Sequence, residues 1–437
     1  MRFDGLQDWL DWQETLHPAR IALDPERFHG VVRQLDLDRP TGWVLMVAGT
    51  NGKGSSVAYA ESLLIEAGLT VGAFSSPHVL HYCERIRIDG RPVADADVMR
   101  AFAAIDLARG DRTLTYFEFS TLAARWLFRE AGVDAEVLEI GMGGRLDAVN
   151  HLTPDVALIT SIGLDHAEWL GPDREAIGHE KAGILRAERP GVFAGSDMPQ
   201  SIADHARALG APLAVAGEAF HWAPERSSTA GDAAPCDADA GTWRYSDAVG
   251  TISGLRHPAI VADAQLANAA GVLRCLRELP DISLDASLWN RAMARVQLPG
   301  RLQCLHRDGV DWLLDVAHNP ESVAVLAAAC DRRPTPRRRL ACLAVMQRKD
   351  AAALLAPIRE RVDGWFLLDL PDPDARRAAE LSALIGSAPV LACGDSATLF
   401  AQIVSNVEPG DEVLVFGSFR TVEEALRYLQ PVESGDG

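Results

Sequence analysis

From residue 43 to about 216, short apolar runs alternate with stretches whose apolar residues recur every three or four positions. The runs 43–48, 71–74, 135–140, 156–161, 191–194 and 212–216 read as strands, and 55–67, 94–108, 117–131 and 198–209 read as helices between them. That alternation predicts an α/β fold with a mostly parallel sheet and helices on both faces. Residues 224–242, PERSSTAGDAAPCDADAGT, break the pattern and read as a flexible surface excursion. Two helical segments follow near 260–279 and 284–296, and Leu298-Pro299-Gly300-Arg301 reads as a linker. A second alternating series then begins, with strands near 302–306, 311–315, 340–345, 365–369, 389–392 and 412–416. The expected organisation is a domain at 1–297 followed by a smaller Rossmann-like α/β domain at 298–437, with no short internal repeat.

Composition narrows the class. The chain has 437 residues, 48% of them apolar, and a net charge of −19. That balance argues against non-specific nucleic-acid binding and against an anionic membrane surface, while leaving room for a local positive pocket. The seven cysteines are dispersed, without a CxxC pair, and read as reduced, mostly packed thiols. The N-terminus MRFDGLQDWLDWQ is acidic and has no apolar core of a signal peptide, and no run approaches the ~20 apolar residues of a membrane span. A cytoplasmic enzyme is expected.

The candidate chemistry starts at Gly49-Thr50-Asn51-Gly52-Lys53-Gly54-Ser55, between an apolar run and a helical pattern. Backbone N–H groups of such a loop, together with a helix N-terminus, cradle phosphate. Lys53 adds a mobile charge for the outer phosphates, and Ser55 offers a hydroxyl to Mg²⁺. The loop departs from GxxxxGK[ST]: Val47 holds the first glycine position and Gly54 separates Lys53 from Ser55. A glycine-rich turn without a ligand is the bland alternative. Among 42 basic residues only Lys53, Lys181 and Lys349 are lysines, which marks them for chemistry that arginine cannot perform.

Glu139 closes a strand at the edge where ligands of open α/β sheets sit, and an acid there can hold Mg²⁺. Gly143-Gly144-Arg145-Leu146-Asp147 follows, and His166 and Ser76 also close strands. Plain solvent-facing carboxylates, structural histidines and turns are the alternatives for each. Lys181, in His179-Glu180-Lys181-Ala182-Gly183, would be an ordinary helix lysine in a lysine-rich chain. Here it is a candidate for carbamylation, since a deprotonated amine can take up CO₂ and become an anionic ligand. Asp315 and His318 flank a strand-to-helix turn suited to proton handling or to ribose and phosphate contacts, with Asn319 as N-cap and Pro320 at N1.

Taken in order, these segments resemble the folylpolyglutamate synthase / dihydrofolate synthase family within the Mur ligase superfamily. The matching pieces are Gly49–Ser55, Ser75-Ser76-Pro77-His78 with Glu84-Arg85-Ile86, Tyr116-Phe117-Glu118, Glu139 through Asp147, and Leu164-Asp165-His166. Glu180–Ile184, Leu298–Arg301, Asp315–Pro320 and Phe416-Gly417-Ser418-Phe419 complete the set. The resemblance implies ATP-dependent amide formation between a pteroate-type carboxylate and L-glutamate through an acyl phosphate, with closure of two halves completing the site. It implies Mg²⁺ ligation by Ser76, Glu139, His166 and carbamylated Lys181, with two ions, ATP as co-substrate and room for a monovalent cation. Thr50, Asn51, Gly52, Lys53, Gly54, Ser55, Asn268, Arg301 and Asp315 would contact ATP. Ile21, Asp24, Thr115, Leu146, Asp147, Ala148, Ser418 and Phe419 would contact substrate. Lys53, Lys181, Asp315 and His318 are the catalytic candidates.

The family's Ile-Asp-Leu-Gly-Leu segment is replaced here by Ile21-Ala22-Leu23-Asp24-Pro25, and its Asp-Lys-Asp by Arg348-Lys349-Asp350, so Lys349 is left out of the site. The partners expected are small molecules, with no nucleic acid or membrane, and the protein is expected to be a monomer. A Mur-type ligase acting on a UDP-linked peptidoglycan precursor is the nearest rival. A nucleotide-hydrolysing switch lacks its Asn-Lys-x-Asp reader here.

Overall fold

The computed structural model describes residues 2–17, 25–225, 241–258, 262–279 and 281–429. Ile21, Asp24, Cys236 and nearly all of the 224–242 excursion lie outside them. Two compact units divide the chain, one drawn from residues up to Gln297 and the other mainly from Leu298 onward.

In the first unit, eight strands form one sheet: β1 (Trp43–Ala48), β2 (Val71–Phe74), β3 (Ile86–Ile88), β4 (Arg91–Pro92), β5 (Ala135–Glu139), β6 (Val156–Ile159), β7 (Gly191–Phe193) and β8 (Leu213–Val215). Their order is β4-β3-β2-β5-β1-β6-β7-β8. All neighbours from β2 to β8 are parallel, and β3 and β4 add an antiparallel edge. β1 is central because both of its faces are apolar. Val44, Met46 and Ala48 enter the core built with helices Leu6–Leu16, Asp95–Arg109 and Tyr116–Ala131, while Leu45 and Val47, also fully buried, take the opposite face.

The sheet also encloses an ion pair. Arg125 binds Glu136 of β5, whose other oxygen accepts the Thr41 N–H at 2.8 Å, while Arg125 donates to the Arg39 carbonyl at 2.7 Å. Both side chains are buried, so the pair holds only because neither partner is left alone.

The six strands expected here from apolar runs are present within a residue or two at each end. The antiparallel three-stranded sheet of β9 (Phe220–Pro224), β10 (Thr242–Asp247) and β11 (Gly250–Arg256) was not expected. Its strands carry polar residues on one face and anchor through scattered aromatics instead of a continuous apolar run. Trp243 and Trp289 both donate to the Arg256 carbonyl, at 3.0 and 2.8 Å, and their rings meet edge to face at 5.3 Å.

The second unit holds β12 (Gln303–Arg307), β13 (Val310–Leu314), β14 (Arg339–Leu343), β15 (Gly364–Leu368), β16 (Val390–Gly394) and β17 (Glu412–Phe416), in the order β12-β13-β17-β14-β15-β16. β12 and β13 form a hairpin through Asp308-Gly309, both at positive φ, as a two-residue turn demands. The remaining pairs are parallel, and Leu343, Trp365, Leu367 and Phe416 anchor one core face.

Candidate functional site

The glycine loop fills the gap between β1 and helix Lys53–Glu66, so Gly54 and Ser55 fall in the first helical turn. Gly49 has φ +148° and Gly52 φ +86°. A Cβ on Gly49 would lie 1.8 Å from Thr160 Oγ1, and one on Gly52 would lie 2.5 Å from Asn268 Oδ1. Both positions therefore require glycine. The neighbouring strand end clamps the loop: Thr160 Oγ1 and Ser161 Oγ donate to the Asn51 carbonyl at 2.6 and 3.1 Å, and the Thr50 N–H donates to the Ser161 carbonyl at 2.8 Å. Neither Thr160 nor Ser161 was singled out from sequence, and only the β1–β6 pairing reveals them. Behind the loop, Gln265 Nε2 donates to buried Ser55 at 3.3 Å, and Gln265 Oε1 accepts from Asn268 at 3.3 Å and Tyr59 at 2.9 Å.

Two lysines converge on this loop. Lys53 Nζ donates to the carbonyls of Gly49 and Thr50 at 3.1 and 3.3 Å. Lys181 Nζ, from helix Arg174–Ala182, donates to the same Gly49 carbonyl at 3.0 Å. Lys181 is 5% exposed. Burial, and then the charge of Lys53, push its amine down to about 7 against the pull of Asp165 and Asp147.

Glu139 ends β5 at 3% exposure and accepts the Ser76 N–H at 3.2 Å, which joins the turn after β2 to the strand beside β1. Asp147 accepts the N–H groups of Met142 and Val149 at 2.9 and 3.0 Å and caps the short helix Ala148–His151. Burial raises its carboxyl to about 6, against those backbone bonds and Lys53. The loop carrying Leu146 lies on the lysine helix: a Cβ on Gly144 would come within 2.7 Å of the Glu180 carbonyl.

Two further expected residues are set by their own local contacts. Thr115 caps helix Tyr116–Ala131, accepting the Glu118 N–H at 3.2 Å, while Glu118 accepts the Thr115 N–H at 2.7 Å and Arg27 at 2.7 Å. His166 follows β6 in a left-handed conformation (φ 53°) with its side chain 45% exposed. Among the described residues no three His, Cys, Asp or Glu side chains gather into a metal site. A metal at this edge would therefore draw on the Ser76 hydroxyl and on Lys181 as well as Glu139 and His166. Hydroxyl and carboxylate oxygens suit Mg²⁺ or Mn²⁺, and the buried strand-end carboxylate of Glu139 fits such an ion.

The second unit gathers its own candidates. Asp315, after β13, accepts the N–H groups of Leu302 and Ala317 at 2.8 and 2.7 Å. Burial raises its carboxyl to about 6, against those bonds and the charges of Arg301 and His318. Arg301 lies over the Phe419 ring at 5.9 Å, and His318 meets the same ring at 6.0 Å. His318 Nδ1 contacts the Val316 carbonyl at 2.9 Å, and Asn319 caps helix Pro320–Arg332 with Pro320 at its first position. Ser418 accepts the Thr421 N–H at 3.1 Å at the start of helix Phe419–Leu429.

Residues 47–211 match the model of the Mur ligase middle domain, and residues 300–419 match that of the Mur ligase glutamate ligase domain. The dihydrofolate synthase/folylpolyglutamate synthase of Escherichia coli (strain K12) is 38% identical over 434 residues, 98% of this chain and 97% of that protein. The chain belongs to the dihydrofolate synthase/folylpolyglutamate synthase family. Members of this family are ATP-dependent ligases within the wider Mur ligase group, and the peptidoglycan alternative is not favoured. Among solved members, E. coli FolC in complex with DHPP and ADP superposes with a TM-score of 0.88 at 38% identity, covering 98% of each chain. A bifunctional folylpolyglutamate synthase/dihydrofolate synthase with Mn, AMPPNP and L-glutamate bound gives 0.86 at 38% identity, again over 98% of each chain. No helix among the described residues is long and apolar enough to cross a membrane.

Proposed function

We propose that this chain joins L-glutamate to dihydropteroate, to folates through a γ-linkage, or to both, at the expense of ATP. The observation that carries the reading is the meeting of Lys53 and Lys181 on the Gly49 carbonyl, in a chain related to such ligases over nearly its whole length. A carboxylate is a poor acyl donor at neutral pH. Its oxygen attacks the γ-phosphorus of ATP, an O–P bond forms and ADP leaves. The glutamate amine then attacks the acyl carbon, an N–C bond forms, the C–O bond breaks, and phosphate and a proton depart. Two anions must approach in the first step, so Lys53 and the N–H groups of Gly52 to Ser55 neutralise the charge that develops there.

Residues 1–297 are assigned as the ATP-binding domain of Mur ligase middle type, and 298–437 as the C-terminal domain. Thr50, Asn51, Gly52, Lys53, Gly54, Ser55, Asn268, Arg301 and Asp315 are assigned to ATP. Thr115, Leu146, Asp147, Ala148, Ser418 and Phe419 are assigned to the acid and amino-acid substrates, with Ile21 and Asp24 beyond the described residues. Ser76, Glu139, His166 and Lys181 would hold Mg²⁺, two ions in all, which supplies charge neutralisation when bound. A Lys181 amine held near 7 is unprotonated in good part at neutral pH. Its nitrogen can attack CO₂, form an N–C bond and release a proton, leaving a carbamate oxygen for the metal. His318 is assigned to positioning or deprotonating the glutamate amine. A cytoplasmic monomer is the expected form.

ADP release with dihydropteroate and with tetrahydrofolate, each with L-glutamate, tests the assignment. Glutamate-dependent ADP release with at least one of them is expected. No release with either would overturn it.

A further inference from the structure

Arg27 lies in the first turn of helix Pro25–Gln34, with its side chain 14% exposed. Its guanidinium donates to the Thr113 carbonyl, 86 residues further along the chain. It also donates, at 2.7 Å, to one oxygen of the buried Glu118 carboxylate. The other Glu118 oxygen accepts the Thr115 N–H at 2.7 Å, and Thr115 Oγ1 accepts the Glu118 N–H at 3.2 Å. With both of its oxygens engaged, this carboxylate cannot turn without breaking a bond. One arginine therefore grips the Thr115 turn twice, at Thr113 directly and at Thr115 through Glu118.

The next residue of the same helix reaches a second loop. Phe28 is buried and meets the His151 ring edge to face at 5.5 Å. His151 Nδ1 contacts the Ala148 carbonyl at 2.8 Å, in the short helix that Asp147 caps. Two consecutive side chains thus join the loops of Thr115 and Ala148, both assigned above to the acid and amino-acid substrates. The helix that carries them follows directly on residues 21–24, which hold Ile21 and Asp24 of the same assignment. The reciprocal Thr115–Glu118 cap is complete without a cation. Arg27 adds a fixed spacing between that cap and helix Pro25–Gln34. Its planar fork spans a carboxylate and a carbonyl at once, which a point charge cannot do.

We propose that Arg27 is a positioning residue for the acid substrate, acting chiefly through Glu118 to hold Thr115 in place. The proposal rests on the ligase reading above and on its assignment of Thr115 to the acid side. It gives Arg27 and Glu118, which that assignment leaves without a role, a share in acid recognition and none in nucleotide binding.

Initial rates with dihydropteroate or tetrahydrofolate, whichever the unmodified chain couples, separate this from a packing role. Arg27→Met should raise the KM for the acid about tenfold or more, with a smaller change in kcat and a KM for ATP within about twofold. Arg27→Lys keeps the charge without the fork and should fall between the two. If Arg27→Met does not fold, Arg27→Lys carries the test, with the KM for the acid raised and that for ATP not. In a Glu118→Gln background, Arg27→Met should raise the KM for the acid only about threefold or less, because the route through Glu118 is already broken. A KM for the acid unchanged in the arginine variants, a rise matched by the KM for ATP, or an undiminished effect in the Glu118→Gln background would overturn the proposal. If the unmodified chain couples no acid at all, the ligase reading falls and this proposal with it. Coupling that is indifferent to Arg27 removes only the proposal.

Discussion

The carboxyl edges of the two sheets treat buried charge differently. In the first, two amines meet one carbonyl oxygen, with Asp147 and Asp165 nearby to offset them. In the second, a single half-buried acid, Asp315, is held by two backbone N–H groups while Arg301 spreads its charge over an aromatic ring. The first edge gathers two amines beside a glycine loop, which suits phosphate transfer. The second orients one acid, one cation and one ring, which suits recognition. The same contrast runs deeper into the sheets. Glu136 and Arg125 are both sealed inside the first, whereas Asp411 in the second is met by Arg337 and Arg338, whose side chains stay 41% and 34% exposed.

The sharpest way to break this comparison is to remove one partner of each pair. Glu136→Ala should cost about 3–5 kcal/mol in urea unfolding, because Arg125 is left charged and buried. Asp411→Ala should cost less, because its arginines can turn to water. Equal losses would erase the distinction between the sheets. Next in size, Lys53→Arg should lower turnover on the order of 10²–10³-fold while the circular dichroism spectrum stays that of the folded protein. Unchanged turnover would remove the phosphate role from the first edge. Lys181→Ala should also lose turnover, and added short carboxylic acids should restore part of it by standing in for the carbamate. No recovery would leave carbamylation without support.

A further effect is on the pH dependence of stability. Lys181 is depressed from 10.5 to about 7, so the unfolded chain binds more protons between those values and stability rises with pH across that window. Asp147 and Asp315 are raised from 3.8 to about 6, so stability falls as pH climbs through that lower window. Lys181→Met should flatten the alkaline rise and Asp315→Asn should remove part of the acid-side fall. Denaturation midpoints measured from pH 4 to 10 would show either slope unchanged if the comparison is wrong.

Legibility from sequence followed the same divide. Strands such as β1, buried on both faces, announce themselves as apolar runs. β10, with Trp243 and Tyr245 facing inward between polar neighbours, does not. Lysine scarcity pointed to Lys53 and Lys181, yet nothing in their 128-residue separation says that they share an acceptor. Thr160 and Ser161 were invisible for the same reason, since their partners depend on the pairing of β1 with β6. Asn268 entered through family resemblance alone, and its approach to Gly52 supplies a physical ground for it.

The most direct test of the central claim follows oxygen. Dihydropteroate or tetrahydrofolate carrying ¹⁸O in the reacting carboxylate is incubated with the protein, ATP and L-glutamate, and the released phosphate is analysed by mass spectrometry. Activation through an acyl phosphate predicts one ¹⁸O transferred to each phosphate formed with the amide. Amide product accompanied by unlabelled phosphate would contradict it.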